Sequence, residues 1–216
     1  MWKTFRKLFL LGAWFVIFYL KKNKDIDIAT EAKPEEILCL LKKNNIAFDS
    51  KNKNFGIVLA KQGSLVAEIA TFRKETYTGS RYPKIQFITN TKQDSHRRDF
   101  SINALYLSPK TNRILDFHKG LADIKFKTLK FIGNPQKRIK EDPLRILRAL
   151  RFIYDLNLNF SSKTKKTIEK NLLLLKFLTK SRIKKEIFII KNKKIQNHVK
   201  KILIEGKSLD IIEKKF

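Results

Sequence analysis

An α/β segment followed by an all-α segment is the fold class this sequence predicts, on three observations. From Asp25 to about Thr89, apolar and polar residues alternate in short runs, the period of half-buried strands. One stretch of that half, PEEILCLLKKNN, instead spaces its apolar residues as a helix does. From about Asp94 onward the pattern is helical, apart from one hairpin around SPKTNRILDF.

Each element follows from its own residues. DIDIAT reads as a strand with Asp25 and Asp27 on one face and Ile26 and Ile28 on the other, because strand side chains alternate. Pro34 suits the start of the helix that follows, and Ile37, Leu38, Leu40 and Leu41 form its apolar stripe. FGIVLA and SLVAEIATF flank a turn at Gln62 and Gly63 and predict a hairpin, and KIQFIT adds a further strand. In EDPLRILRALRF, residues 141–152, Pro143 helps to start a helix with Asp142, Arg145 and Arg148 along one side and Leu144, Leu147 and Leu150 along another.

Composition narrows the partners. The chain has 216 residues, 43% of them hydrophobic, enough to build a core. Its 48 Lys and Arg against 20 Asp and Glu give a net charge of +28, spread along the whole length, which points to a polyanionic partner. Lys-rich bias on solvated helix faces accounts for part of that excess. A single Cys39 excludes an internal disulfide and fits a reducing cytoplasm, and His96, His118 and His198 are too scattered for a zinc site.

The chemistry-bearing residues fall in three stretches. Asp25 and Asp27 converge on one spot, and paired carboxylates with water suit Mg²⁺, the usual companion of nucleotide phosphates. Glu68, on a strand face beside Val66 and Ala70, is the natural third ligand. The bland readings are a surface turn for Asp-x-Asp and a solvent-facing hairpin position for Glu68. In the helix from Glu141, an acceptor-only Asp beside donor-only Arg side chains matches the edge of a nucleobase, although a salt-bridged amphipathic helix is the commoner cause of such a face. The third stretch is RRDFSINAL, with Arg97, Arg98, Asp99 and Asn103.

DIDIAT, AEIATFRKETY, RRDFSINAL, GLADI, IGNP and EDPLRILRALRF, in this order, resemble the class II tRNA nucleotidyltransferase (CCA-adding enzyme) and bacterial poly(A) polymerase family. The likeness runs from about Lys24 to about Glu186, where KSRIKKEI looks like the family's neck. It implies a polymerase-β-like head, a mixed sheet with helices, over residues 24–128, and an α-helical neck over 129–216 with the family's body and tail truncated. It implies template-independent addition of C and/or A to the 3′ end of tRNA from CTP and ATP, in the cytoplasm and without stable membrane association. By the same resemblance, Asp25 and Asp27 bind Mg²⁺ with Glu68 as a third carboxylate. Arg97, Arg98, Asp99 and Asn103 meet the nucleotide's sugar and phosphates, and Asp142 and Arg145, with Arg148 and Arg151 nearby, read its base. The short strand pair FGIVLAKQGSLVAEIATFR is more like the CCA-adding members than the poly(A) polymerases. The alternatives are a poly(A) polymerase and an inactive RNA-binding remnant.

The opening residues, 1–23, depart from the family pattern. Before the paired aspartates the family carries Gly-Gly-x-Val-Arg-Asp, whose glycines let the backbone approach a triphosphate. Here only Gly12 and Ala13 resemble it, and Trp14, Phe15, Val16 and Ile17 follow. The apolar run, residues 8–20, falls short of the ~20 residues a membrane-spanning helix needs, no signal-peptide cleavage pattern follows it, and a buried strand, the other reading, leaves the phosphates without their cradle. Read one base earlier, codons for Trp, Phe, Val and Ile permit x-Val-Arg-Asp. The residues up to about Leu20 are therefore expected to be an out-of-frame translation, which resequencing the coding DNA across codons 1–30 checks.

Overall fold

The strand that carries the paired aspartates lies inside a seven-stranded sheet. The computed structural model describes residues 8–11, 25–79, 82–190 and 196–197. β1 (Leu8–Leu11), β2 (Asp25–Thr30), β3 (Ala47–Asp49), β4 (Ile57–Gln62), β5 (Leu65–Thr71), β8 (Leu105–Ser108) and β9 (Arg113–Asp116) form the sheet in the order β3-β4-β5-β2-β1-β8-β9. β2 and β5 run parallel, and the other neighbours are antiparallel. β6 (Arg73–Thr76) and β7 (Lys84–Phe87) make a separate two-stranded ladder.

α1 (Pro34–Lys43) begins with proline, and the Glu36 side chain accepts from the Lys33 backbone N–H at 2.7 Å, satisfying a donor that a helix start leaves open. Its Ile37 and Leu41 pack on Ile28, Val58, Ala60, Ala67 and Ile69, the apolar face of the sheet. The other face holds Phe9, Ala29, Phe72 and Tyr106. Gly56 has φ +71°, and a Cβ there would stand 2.8 Å from Phe87 Cε1, so only glycine fits this turn.

The sequence set residues 1–23 apart from the head. Leu8–Leu11 nevertheless pair with β2 on one side and β8 on the other, with Phe9 and Leu11 buried. Four residues of the opening stretch are thus interior members of the sheet. The predicted hairpin SPKTNRILDF forms as β8 and β9 and extends the same sheet.

Contacts divide the chain into two units, the first reaching Leu121 and the second starting at Ala122, with residues 79–81 and 99–101 also counted in the second. The second unit is mainly helical, with α4 (Pro135–Glu141), α5 (Leu144–Leu156), α6 (Ser162–Asn171) and α7 (Lys180–Ile189), and α3 (Gly120–Lys125) stands at the junction. Asn134 and Ser161 cap α4 and α6 by accepting from the third backbone N–H beyond each. Two short strands, β10 (Thr128–Leu129) and β11 (Asn159–Phe160), interrupt the expected run of helices with a parallel pair. Among the described residues no helix is long and apolar enough to cross a membrane.

Candidate active site

In the first unit, register brings two of the predicted carboxylates together. Asp27 of β2 lies directly opposite Glu68 of β5, and both are exposed. Ala29, two residues on and so on the same face, is fully buried with Phe9, Phe72 and Tyr106. One face of the sheet therefore passes from an aromatic core to an open edge bearing adjacent carboxylates. Asp25 pairs with Val66 two positions earlier in the same register. Its side chain, and Gly12, lie outside the described residues. Among the described residues no group of three or more His, Cys, Asp or Glu side chains gathers to hold a metal ion. Asp27 and Glu68 offer hard oxygen donors facing water, a set that fits Mg²⁺, which needs only one or two carboxylates and completes its shell with water and phosphate.

The first unit also holds Arg97 and Arg98, at the end of α2 (Thr91–His96). Both lean on Asp94, whose carboxylate is fully buried. Arg97 Nε donates to Asp94 Oδ1 at 2.8 Å and Arg98 Nη2 to Oδ2 at 3.4 Å. Arg98 also donates from Nη1 to the Asn103 backbone oxygen at 3.4 Å, which is where Asn103, in a short 3₁₀ turn, enters this cluster. Arg73 and Arg97 both pair with Glu75. Burial drives the Asp94 carboxyl upward, but Arg97, Arg98 and the Tyr106 hydroxyl outweigh it and hold the group below the usual carboxylate range. Burial, aided by the charge of Arg97, lowers Arg73.

A depressed carboxylate stabilises the fold above its unfolded pKa and loses that contribution as pH falls through its folded value. The urea midpoint is therefore expected to drop as pH is lowered below about 4. Asp94→Asn should flatten that slope, and an unchanged slope would show that other carboxylates dominate.

In the second unit Asp99 and Arg148, distant in sequence, form an ion pair, with Arg148 Nε donating to Asp99 Oδ2 at 2.6 Å. Burial opposes the charge on Arg148, but Asp99 and Glu186 overcome it and raise its pKa. Arg151 pairs with Glu186 at 3.4 Å and lies over the Phe152 ring, and burial lowers its pKa. Arg145 is buried, its Nη1 donating to Glu141 Oε2 at 2.8 Å and to the Arg138 backbone oxygen at 2.6 Å.

The shared helix face predicted for Asp142, Arg145 and Arg148 requires correction. Asp142 has extended dihedrals between α4 and α5, because the residue before proline is pushed out of the helical region. Its carboxylate accepts the Leu144 backbone N–H at 3.1 Å and both Arg182 Nη2 contacts, at 3.1 and 2.8 Å. Arg145 and Arg148 share α5 without it.

Sequence reasoning missed Asp94, Glu141, Arg182 and Glu186. The spacing Asp94-x-x-Arg97-Arg98 and the i, i+4 pair Glu141 and Arg145 were readable as helical ion pairs. Nothing local marks Arg182 as the partner of Asp142.

The Poly A polymerase head domain family matches residues 8–130. The chain belongs to that family. It is 39% identical over 160 residues to a CCA-adding enzyme of Bacillus licheniformis, covering 73% of this chain and 39% of the relative. A CCA-adding enzyme of Lactobacillus helveticus is 38% identical over 164 residues, covering 75% and 40%. Among solved structures, Bacillus stearothermophilus CCA-adding enzyme in complex with CTP aligns with TM-score 0.70 and 25% identity over 84% of this chain and 42% of that one. A tRNA nucleotidyltransferase complexed with a primer tRNA and an incoming ATP analog aligns with TM-score 0.71 and 28% identity over 95% and 61%. The chain spans about two fifths of the length of the curated relatives it matches.

Proposed function

We propose that this chain is the head and neck of a template-independent RNA nucleotidyltransferase that adds C and/or A to the 3′ end of tRNA from CTP and ATP, in the cytoplasm. The observation that carries the reading is the Poly A polymerase head domain match over residues 8–130, which spans the paired aspartates and RRDFSIN, together with 39% identity over 160 residues to a CCA-adding enzyme. Solved neighbours named as complexes with CTP and with primer tRNA support the same substrates.

Asp25, Asp27 and Glu68 are proposed to hold Mg²⁺, which when bound neutralises the triphosphate and lowers the pKa of the RNA 3′-hydroxyl. The 3′-hydroxyl gives up its proton to solvent, its oxygen bonds to the α-phosphorus, and the bond from that phosphorus to the oxygen bridging it to the β-phosphorus breaks, releasing pyrophosphate. Arg97 and Arg98 attract and orient the phosphates, since such transfer depends mainly on position and charge. Asp99 and Asn103 hold the sugar end. Asp142 accepts from the base and Arg145 donates to it, so Asp142 must exchange at least one Arg182 contact for the nucleotide. Arg148 and Arg151 support that segment through Asp99 and Glu186.

Purified protein with Mg²⁺, CTP and ATP is expected to extend tRNA lacking its 3′ end and to ignore unrelated RNA. Extension of any RNA with ATP alone would make it a poly(A) polymerase. Salt-dependent RNA binding without extension would make it an inactive remnant.

A further inference from the structure

We propose that Tyr106 and Asp94 are positioning residues that fix the guanidinium planes of Arg98 and Arg97 for the phosphates of an incoming nucleoside triphosphate. The proposal rests on the nucleotidyltransferase reading above and assigns a role to two residues that reading leaves unused.

The Tyr106 hydroxyl stands between opposite charges. It donates to Asp94 Oδ2 at 2.6 Å and accepts from Arg98 Nε at 2.8 Å. A hydroxyl is among the few side-chain groups able to donate to a carboxylate and accept from a guanidinium at once. To satisfy a buried phenol the carboxylate alone would suffice, whereas the second bond engages Nε, the atom that with Nη2 on Asp94 sets the guanidinium plane. The Arg98 carbon also lies 5.0 Å from the Tyr106 ring centre.

Tyr106 is itself held rigidly. It is fully buried, pairs through the backbone of β8 with Leu11 of β1, and packs edge-on against Phe9 at 5.9 Å and Phe117 at 6.4 Å between ring centres. Asp94 is equally fixed, its Oδ1 accepting the Arg73 backbone N–H at 2.9 Å as well as Arg97 Nε. The sheet core thus orients two arginines through one phenol and one carboxylate. Arg73, Arg97 and Arg98 against Asp94 and Glu75 leave the cluster with surplus positive charge. The side chains of Arg97 and Arg98 are 12% and 10% exposed, so each keeps part of its surface open to solvent, from which an anion would approach the cluster.

The test uses the full chain and Tyr106→Phe, which removes one oxygen and keeps the ring. The Arg98 Nε–H resonance, assigned with Arg98→Lys, is expected to be distinct and slow to exchange in the wild type and to collapse toward the free-arginine position in Tyr106→Phe. Binding of CTP and of inorganic triphosphate should each weaken about tenfold, as the loss of a hydrogen bond to a charged group predicts. The CTP over UTP preference should stay constant, because the lesion lies at the phosphate end; a merely structural defect would move it. Asp94→Asn, of the same size, should give the same pattern with both arginines affected. An unchanged Arg98 resonance overturns the clamp whatever the protein binds. A collapsed resonance with unaltered triphosphate affinity overturns the positioning role. A wild type that shows the clamp yet binds neither CTP nor triphosphate refutes the nucleotide reading itself and the positioning role with it.

Discussion

On the proposed reading, Asp27→Ala is expected to reduce incorporation of C and A into tRNA by ~10³-fold or more, the cost of losing a metal that would stabilise transferring phosphates by several kcal/mol. Asp25→Ala should match it. Asp27 is exposed, so the variant should still fold, which the urea midpoint checks. Asp27→Asn keeps the size and loses the charge, so it should be as inactive as alanine. Glu68→Gln should cost less, since Mg²⁺ accepts water in place of a third carboxylate. Single-turnover extension at saturating CTP is the measurement. A variant retaining more than about a tenth of the wild-type rate, roughly 1.4 kcal/mol of barrier, would place the metal on other residues.

Arg148→Ala is expected to cost about 3–5 kcal/mol of stability, because it takes the guanidinium away from the Asp99 carboxylate, 6% exposed, which keeps its Phe100 N–H donor at 3.0 Å. Asp99 also anchors the chain through its backbone oxygen, which accepts the Ile132 N–H at 2.9 Å, so a displaced Asp99 would disturb the Phe100 and Phe131 pairing beside it. Removing both partners should be much milder than the sum of the single losses. Urea midpoints across the Asp99→Ala, Arg148→Ala and double variants give the coupling. Strict additivity would show that Arg148 owes its burial to Phe152 and Glu186 instead.

The strands of the first unit were legible because their cause is local. DIDIAT, the FGIVLA and SLVAEIATF pair and the SPKTNRILDF hairpin each carry their own alternation and turn residues, and all form as expected. Leu8–Leu11 were not legible as part of the sheet, since a run apolar on every residue is what a strand buried between two neighbours shows and equally what other buried segments show. The break at Asp142 was legible in principle, because a residue before proline leaves the helical region, but the recurrence of charge every third residue suggested one continuous face.

By itself the sequence determined the α/β then α order, the carboxylates and guanidinium groups available to a site, and the surplus of positive charge that favours a polyanionic partner. Those depend on composition and on spacing within a few residues. Tertiary structure decided which charges meet. The parallel register of β2 with β5 sets Glu68 beside Asp27, Tyr106 on β8 reaches back to Asp94 and Arg98, Arg148 finds Asp99, and Arg182 takes Asp142. Each such pair joins segments separated by strands, turns or whole helices. The buried ion pairs and hydrogen bonds among them gain their energy only when packing takes both groups out of water, a condition no local pattern encodes.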